Sequence, residues 1–469
     1  MSSAGATYRD TAEAAWQWTL GQVRWADDGP WIPTSVTGDE PQVPDDRDGM
    51  HSGIAGLAHT LAEIRLSRPW TAAETKLGDA IAERLIREIP GCSDVTFFDG
   101  LVSTIGALVA LDRLDGVRAA VVRLQELAAD DGWPQTLMVP PRFAPGARIH
   151  DMTLGTAGVL LGGVWAARHG VEGGRELADH AAGILLTEIA LAGAEAEAEV
   201  GAGVDAEARA AVGAEVGAID VGWPFVPRRF RPEAGAVMPN LSHGLAGVAA
   251  ALASAGLSLG RPELVAAATK VSEQLVSLGV TDGRGFIVQR YIPTEINDED
   301  EFTYTWCHGA SGTSLAFAAL DAAGVKSVAG TAPADWRARC LHSVRTSGLP
   351  ARLHPGFWDN DGRCCGTAGV GDILLDSWHR TGSAEDLAFA TLLADTLVEH
   401  AFHEGGTYWR FTEHRNENPL LPPAVGWMQG AAGIAAYLLH TARVVEQGTA
   451  AQPQQRMDTW WAAPADAHH

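Results

Sequence analysis

The sequence predicts an all-α protein, an α/α barrel in which inner and outer helices alternate around a ring. Three observations support this fold class. A Gly-x-x-Gly turn recurs along the 469 residues, an Ala-rich apolar segment follows each turn, and amphipathic segments lie between them. A helix that is buried on all sides is apolar around its circumference, whereas a surface helix keeps a polar face. We therefore expect the apolar segments to form a toroid of inner helices and the amphipathic segments to cover it.

Six copies of the turn keep both glycines, and a seventh, degenerate copy ends in Ser103. Along the chain the turns begin at Gly53, Gly100, Gly155, Gly244, Gly309, Gly366 and Gly430. About seven inner helices are therefore expected, at intervals of roughly 45 to 90 residues, compared with ~34 to 47 in common helical-pair repeats. Because glycine lacks Cβ, we expect the turns to let backbones approach closely and to leave N–H groups facing a shared cavity.

The amphipathic segments between the turns predict the outer helices. The clearest are AAETKLGDAIAERLIREI, RPELVAAATKVSEQLVSLG and AEDLAFATLLADTLVEHAF, in which apolar residues recur every three or four positions. We expect one α/α-barrel domain over residues 1–447 and a tail over 448–469 that lies on the barrel or is free. Residues 193–220 consist almost wholly of Ala, Glu, Gly and Val, which predicts an exposed insertion, helical in part or disordered.

Composition excludes several classes of function. The chain has 34 Lys and Arg against 58 Asp and Glu, a formal charge of -24, so no basic surface is expected to bind nucleic acid or anionic membranes. No apolar run approaches the ~20 residues that span a bilayer, and the N-terminus lacks the pattern of a signal peptide. We therefore expect a cytoplasmic protein without membrane insertion. Its five cysteines, an odd number that includes an adjacent pair, are typical of reduced thiols or metal ligands.

Three of those cysteines form a candidate metal site. Cys307 lies in WCHGASG, and Cys364 and Cys365 lie in CCGTAG, so all three stand directly before Gly-x-x-Gly turns. Thiolates are preferred zinc ligands, and three protein ligands leave the fourth tetrahedral position open, as in catalytic zinc sites. The alternative is that small buried thiols simply pack beside the turns. Cys92 and Cys340 have no such context.

The order of the motifs resembles the lanthipeptide cyclase family, the lanthionine synthetase C-like proteins. The motifs are DMTLGTAG, NLSHGLAG, WCHGASG, CCGTAG and a final GWMQGAAGIAAYLLH, and together they extend over nearly the whole chain. The resemblance implies an α/α barrel with a catalytic zinc ion. It also implies an enzyme that adds a peptide cysteine thiol to dehydroalanine or dehydrobutyrine and so forms a thioether ring.

Matched motif by motif, the resemblance assigns roles to five residues. It implies that Cys307, Cys364 and Cys365 hold zinc and that His243 and Asp151 handle protons. His243 would protonate the enolate that follows thiol addition, and Asp151 would take up the thiol proton or hold the substrate. Structural alternatives remain: His243 as a cap residue bonded to a backbone carbonyl, and Asp151 as the cap of its own turn.

Other positions near the motifs stay open. His308, beside Cys307, is a candidate to replace Cys365 as a ligand or to line the pocket, and His51 is at best pocket lining. Most family members have Cys-His-Gly where this chain has Cys364-Cys365-Gly366, so its third ligand resembles that of cyclase domains in some bifunctional synthetases. Free-standing members often carry arginine four residues before the first zinc cysteine, where this chain has Thr303.

The resemblance also implies partners and rival functions. No dehydratase segment precedes the barrel, so we expect a separate dehydratase to supply a dehydrated precursor peptide. A second enzymatic interpretation keeps the zinc–thiolate chemistry but adds glutathione to dehydroamino acids. A glycoside hydrolase would need a second carboxylate beside Asp151, which the turns do not offer. A non-catalytic peptide-binding protein would use zinc as a structural plug.

Overall fold

The protein is almost entirely helical in its computed structural model, which describes residues 3–38, 43–44, 46–135, 144–201, 226–230, 237–292, 301–351, 360–412 and 417–462. These residues form fourteen α-helices and two short antiparallel hairpins. The first hairpin pairs β1 (Arg24–Ala26) with β2 (Gly29–Trp31), and the second pairs β3 (Gly279–Asp282) with β4 (Gly285–Val288). The predicted all-α class is confirmed.

Within the described residues, seven inner helices each begin at one of the seven glycine turns. In chain order, with the outer helices between them, the helices are α1 (Ser3–Gln22), α2 (Gly56–Ser67), α3 (Ala72–Glu88), α4 (Leu101–Ala110), α5 (Leu114–Leu127), α6 (Thr156–Arg168), α7 (Gly174–Gly201), α8 (Leu245–Leu259), α9 (Pro262–Leu278), α10 (Ala310–Ala322), α11 (Pro333–Arg345), α12 (Thr367–Thr381), α13 (Ala384–His400) and α14 (Ala431–Gln447). The even-numbered helices are the inner ones. Each contacts the next, and α14 contacts α2, so the ring is closed.

Each outer helix packs on an inner helix and gives the barrel its second layer. The helices α3, α5, α7, α9, α11 and α13 each contact the inner helix that precedes them in the chain, and α1 contacts α14. Three of these outer helices, α3, α9 and α13, correspond to the three amphipathic segments of the sequence. The predicted toroid of inner and outer helices is therefore confirmed.

The difference between inner and outer helices follows from their side chains. Nearly every residue of α8 is buried, because its Ala-rich sequence LAGVAAALASAGLSL packs against neighbours on all sides. Helix α3 buries one face only, and it begins with a capping box in which Thr71 and Glu74 bond each other's backbone N–H groups. The carboxylate of Glu74 also accepts a hydrogen bond of 2.7 Å from Trp16 Nε1 on α1, which joins two outer helices.

Helix α7 contradicts the expectation that no stretch is long and apolar enough to span a bilayer, and it contains the first part of the predicted insertion. It contains one stretch, Gly174–Ala194, of 21 residues that is long and apolar enough to cross a membrane by length and composition alone, although the sequence was expected to hold no such run. This stretch is an outer helix packed on α6. The helix continues to Gly201 and includes the start of the predicted insertion, whereas residues 202–220 lie outside the described part of the chain.

The predicted C-terminal tail lies on the barrel over residues 448–462, and its last seven residues lie outside the described part. Trp460 and Trp461 are buried, and Trp461 Nε1 donates a hydrogen bond of 3.0 Å to the carbonyl of Leu315 on α10. The guanidinium of Arg168, the last residue of α6, lies 3.7 Å from the ring centre of Trp460. The segment therefore covers the end of the barrel opposite the glycine turns. The domain boundaries themselves stay a prediction.

The seven turns are joined to each other by backbone hydrogen bonds that form a second, smaller ring. Most of these bonds involve the residue two positions before the first glycine of a turn. The N–H donors and carbonyl acceptors are His51 to Phe98 (3.3 Å), Phe97 to Thr153 (2.8 Å), Thr153 to Ser242 (3.2 Å), Ser242 to Cys307 (3.0 Å), Cys307 to Cys364 (3.3 Å), Cys364 to Met428 (2.9 Å) and Met428 to His51 (3.0 Å). Side chains at equivalent turn positions therefore lie side by side around the barrel axis.

In the six turns that keep it, the second glycine lies where the chain approaches itself closely. A Cβ atom at Gly312 would lie 1.8 Å from the carbonyl oxygen of Trp306, and one at Gly369 would lie 1.8 Å from that of Arg363. In both turns the glycine meets the carbonyl six residues earlier, so any side chain there would force the turn apart. Glycine thus fixes the conformation that presents the residues just before it.

The N–H groups of these turns differ from the expectation. They were expected to face a shared cavity, but in the turn at Gly309 they bond within the turn itself. Gly309 and Gly312 donate to the carbonyl of Thr305, and Ala310 donates to that of Thr303. The helix N-terminus is satisfied by its own chain, so side chains rather than backbone N–H groups must supply the chemistry of the site.

Candidate metal centre

The three candidate ligands come from two neighbouring turns of the ring. Cys307 and Cys364 occupy the same position, two residues before Gly309 and Gly366, and the N–H of Cys307 donates to the carbonyl of Cys364 at 3.3 Å. Cys365 is the next residue of the second turn. Because the backbones of the two turns are bonded at this point, three thiols separated by up to 58 positions in the sequence meet at one place.

The sulfur atoms lie close together and are buried. Cys365 Sγ is 3.3 Å from Cys307 Sγ and 3.4 Å from Cys364 Sγ, and all three sulfurs lie within 4.8 Å of one another. The exposed fractions of Cys307, Cys364 and Cys365 are 3%, 8% and 7%. All five cysteines of the chain are free thiols. Among the described residues, these three form the only cluster of His, Cys, Asp or Glu side chains close enough to share a metal ion.

The cluster fits a zinc ion better than it fits simple packing. Tetrahedral zinc with Zn–S bonds of ~2.3 Å separates its sulfur ligands by about 3.8 Å. The sulfurs at 3.3 and 3.4 Å reach that spacing with shifts of a few tenths of an ångström. A sulfur-only set is also a soft donor set, which selects zinc over Mg²⁺ or Ca²⁺. Three cysteines would leave a fourth position for another ligand.

The three thiols ionise unequally when no metal is bound. Burial alone would raise the pKa of Cys307, but hydrogen bonds from Cys364 and Cys365 outweigh burial and hold its pKa well below the usual range. The same hydrogen bonds to Cys307 raise the pKa values of Cys364 and Cys365 well above that range, and burial adds to the effect. Without a metal, Cys307 is therefore the thiol of the cluster whose ionisation is most favoured.

His243 and Asp151 form a hydrogen-bonded pair on the turns before the cysteines. His243 Nδ1 lies 2.9 Å from Asp151 Oδ2 and 3.0 Å from Thr153 Oγ1. The hydroxyl of Thr153 donates to the carbonyl of Ser242 at 3.0 Å, so its oxygen is left to accept from Nδ1. Two acceptors on Nδ1 fix its proton there. Any proton that His243 exchanges with a substrate must therefore reside on Nε2.

The charge of Asp151 controls the ionisation of His243. Burial alone would lower the pKa of His243, but the attraction of Asp151, the hydrogen bond to it and the charge of Cys307 together raise the pKa above its ordinary value. Asp151 is fully buried, and its Oδ1 accepts a bond of 2.6 Å from the N–H of Leu154. Asp151 therefore both caps its turn, as the structural alternative had it, and orients His243.

Comparisons with known proteins agree with this geometry. The sequence model of the family described as "Lanthionine synthetase C-like protein" matches residues 44–447. The chain belongs to the lanthionine synthetase C-like proteins. Among fourteen chains of solved structures that match is nisin cyclase, at 13% sequence identity, with 97% of each chain covered and a TM-score of 0.57. This likeness shows the shared fold. No curated protein sequence matched significantly.

Two further histidines of this lanthionine synthetase C-like chain, His308 and His51, were candidates for the site. His308 is buried, with its ring centre 5.6 Å from that of His243 and 6.5 Å from that of Tyr291. Its ring nitrogens are not among the metal-ligand atoms that lie within 4.8 Å of one another. His51 lies edge-on to Phe98, with ring centres 5.5 Å apart, and its pKa is lowered by burial. Both rings lie on the turn face of the barrel.

The remaining sequence candidates lie away from the cluster. Cys340 is fully buried in the outer helix α11, and Cys92 is half-buried and donates to the carbonyl of Asp94. Burial raises the pKa values of both thiols, as expected for unreactive cysteines. Thr303, where other members often carry arginine, is fully buried. The sequence therefore separated the clustered cysteines from the other two.

Sequence reasoning missed two groups that support the site. Thr153 is the second partner of His243 Nδ1, and its turn position, equivalent to that of Cys307, was a signal that could have found it. Arg363 immediately precedes Cys364, is buried, and has its guanidinium 4.2 Å from the ring centre of Trp427. The signal that could have found it was its place directly before Cys364.

Proposed function

We propose that this chain is a zinc-dependent cyclase that adds a peptide cysteine thiol to dehydroalanine or dehydrobutyrine and forms lanthionine-type thioether rings. The observation that carries the proposal is the cluster of three buried thiols on the turn face of the barrel, next to the hydrogen-bonded pair of His243 and Asp151. Membership of the lanthionine synthetase C-like proteins supports the same reaction class.

Cys307, Cys364 and Cys365 are proposed to hold the metal. When bound, zinc supplies the activation of a fourth thiol, that of the substrate, which has a pKa of about 8.5 when free and is deprotonated on coordination. The three protein thiols are themselves buried. The chain's own part is to fix three sulfurs around one point.

His243 is proposed to be the general acid. Attack of the substrate sulfur on the β-carbon forms a C–S bond, and the π electrons of the alkene move into an amide enolate. The α-carbon then takes a proton, so that the net reaction is addition of S–H across the double bond. Because Nδ1 is held by Asp151 and Thr153, the proton comes from Nε2. Asp151 keeps the imidazolium charged and correctly turned, and it does not need to take up the thiol proton.

The proposed substrate is a dehydrated precursor peptide, supplied by a separate dehydratase in the cytoplasm. Thiol and alkene belong to the same peptide, so holding them together in one cavity makes the addition intramolecular. Proximity of this kind contributes up to ~7 to 11 kcal/mol to lowering a barrier. The side chains that stand just before the glycine turns surround the place where the two groups would meet.

The direct test is mass spectrometry of a dehydrated precursor peptide incubated with and without the protein. Cyclisation leaves the peptide mass unchanged but removes free thiols, so alkylation before analysis counts the rings formed. A matched pair of variants separates the site from general effects. Cys364→Ala should abolish ring formation, whereas Cys92→Ala, which removes a thiol outside the cluster, should leave it unchanged.

A second arm of the same experiment adds glutathione. Glutathione adducts on the dehydrated residues, together with unreacted peptide thiols, would favour the alternative in which the protein adds an external thiol. Retention of all peptide thiols with no adducts, at full metal occupancy, would refute thiol addition altogether.

A further inference from the structure

The C-terminal segment, defined here as residues 451–462, enters the interior of the barrel from the end opposite the glycine turns. Gln454 Nε2 donates a hydrogen bond of 3.1 Å to the carbonyl of His59 on α2. Arg443 on α14 donates to the carbonyl of Gln452. The segment lies beyond residues 44–447, the part of the chain that the family matches. Its role is therefore not assigned by membership of the family.

Arg456 connects this segment to two buried carboxylates, those of Asp372 and Asp376. Its guanidinium lies 2.7 Å from Asp372 Oδ2 and 3.9 Å from Asp376 Oδ2, and its side chain is 8% exposed. Burial and the charge of Asp372 raise the pKa of Asp376 to about 7. For Asp372, burial is outweighed by Arg363 and Arg456, and its pKa lies well below the usual range. Asp372 is therefore the anion that anchors Arg456.

Asp372 joins three elements of the chain at one carboxylate. Besides Arg456 from the C-terminal segment, it accepts a bond of 2.5 Å from Arg363 in the metal-binding turn and lies 2.9 Å from His440 Nδ1 on α14. All of these side chains are buried. A buried carboxylate held by donors from three directions has one orientation, and loss of one donor frees it to rotate or to admit water.

Arg363 connects this carboxylate to the candidate ligands. It directly precedes Cys364, and its backbone N–H donates to the carbonyl of Met428 at 2.7 Å. Its guanidinium is fixed between Asp372 and the face of Trp427. Backbone and side chain are thus both held, so displacement of Asp372 is transmitted to the turn that carries Cys364 and Cys365. Sulfur ligands tolerate displacements of only a few tenths of an ångström.

We propose that Arg456 is a positioning residue for the metal centre, because by holding Asp372 it fixes Arg363 and with it the turn bearing Cys364 and Cys365. This inference rests on the metal centre of the proposed function. It makes the C-terminal segment part of the site, although the segment enters the barrel from the end opposite the glycine turns.

The test measures metal binding rather than cyclisation. Metal-free full-length protein is titrated with Co²⁺, which reports its ligands through thiolate-to-cobalt charge-transfer and ligand-field absorption, and zinc affinity is measured by competition with a chromogenic chelator. Arg456→Gln should weaken metal affinity by about 10- to 100-fold, as for other groups that orient ligands, and should alter the cobalt spectrum. Arg456→Lys, which restores the positive charge, should recover most of the affinity.

A matched control separates this effect from loss of the segment's packing. Arg380→Gln removes bonds to the carbonyl of Trp461 and to Asp321 but no contact with Asp372, so it should keep the parent affinity and spectrum. If Arg456→Gln does not fold, Arg456→Met replaces it, because it removes the same donor from Asp372 but brings no amide of its own into the buried site.

The possible outcomes separate failure of the metal centre from failure of the role proposed for Arg456. A parent protein that binds neither Co²⁺ nor Zn²⁺ would overturn the metal centre and this inference together. A parent that binds cobalt, with folded Arg456→Gln or Arg456→Met showing the same affinity and spectrum, would overturn this inference alone. Equal weakening in Arg380→Gln would also overturn it, since the effect would then belong to anchoring of the segment.

Discussion

The pair formed by Asp151 and His243 allows a quantitative test of the general acid. In Asp151→Asn the side chain keeps its shape, and its amide oxygen can still accept from the N–H of Leu154, but the negative charge is lost. His243 then loses the attraction that raises its pKa. With that bond kept, the amide NH2 takes the place of Oδ2 and faces His243 Nδ1. The change therefore removes the charge and also replaces the acceptor of the 2.9 Å hydrogen bond by a donor, and both effects disfavour the imidazolium.

The size of the effect follows from the separation of the charges. Opposite unit charges about 4 Å apart interact by about 4 kcal/mol at an effective dielectric constant of ~20. That energy corresponds to a change of about 3 in pKa, since a change of one is worth about 1.36 kcal/mol. The side chain of His243 is 23% exposed and Thr153 still accepts from Nδ1, so solvent and this remaining hydrogen bond reduce the change. We expect the pKa of His243 to fall in Asp151→Asn, because the largest cause that raises it is removed.

The pH profile of cyclisation reports this fall in pKa. The acid must be protonated, so the parent rate falls as pH rises through the raised pKa of His243, and in Asp151→Asn the same fall begins at lower pH. At a pH above both pKa values, the variant is slower by about tenfold for each pH unit that separates the two alkaline limbs. The assay is initial ring formation at several pH values, with NMR titration of His243 in parallel. Thr153→Val, which removes the neutral partner of Nδ1, is the control and should move the profile less. An alkaline limb that stays in place in Asp151→Asn would refute the role of His243 as the acid.

Four further predictions concern the metal and the acid. Metal analysis of purified protein should find about one zinc per chain, and Cys364→Ala should lose it, because a three-ligand site cannot spare a thiolate; full zinc in that variant would move the site elsewhere. His243→Ala should keep zinc and fold but slow cyclisation by ~10²- to 10⁴-fold, and unchanged turnover would make His243 a structural residue. Zinc binding to metal-free protein should release protons near neutral pH, because the pKa values of Cys364 and Cys365 are raised above that of a free thiol, and calorimetry in buffers of different ionisation enthalpy counts them. Cys365→His should keep zinc but cyclise more slowly at saturating peptide, since a less basic substrate sulfur is a weaker nucleophile; a rate equal to the parent's at matched occupancy would contradict this.

The fold could be predicted from the sequence because one local device is repeated. Six of the seven inner helices start at turns that keep a second glycine, and at Gly312 and Gly369 that glycine is required by contact with the carbonyl six residues earlier. Such a requirement leaves a recurrent mark in the sequence. The alternation of apolar and amphipathic segments then determines which helices lie inside. Closure of the ring follows because every inner helix must bury both flanks.

The supporting contacts of the site could not be predicted in the same way. Thr153 and His243 are 90 positions apart, and Arg456 and Asp372 are 84 apart. Each pair meets through the three-dimensional packing of the helices, which no repeat pattern encodes. The cysteines were found because they share turn positions, whereas Arg456 lies in a segment outside the repeat. The expectation of free N–H groups at the turns failed for a related reason: it ignored that each turn folds back on its own carbonyls.

The thiolate of Cys365 affects the pKa of His243 through the net charge of the metal centre. Three thiolates around Zn²⁺ sum to a charge of about -1. The negative charge that helps to raise the pKa of His243 would thus be preserved on metal binding, and it would grow to about -2 when a substrate thiolate binds. The imidazolium is then favoured most when an enolate is about to form. With histidine in place of Cys365 each of these metal-bound charges is less negative by one, so Cys365→His should move the alkaline limb in the same direction as Asp151→Asn.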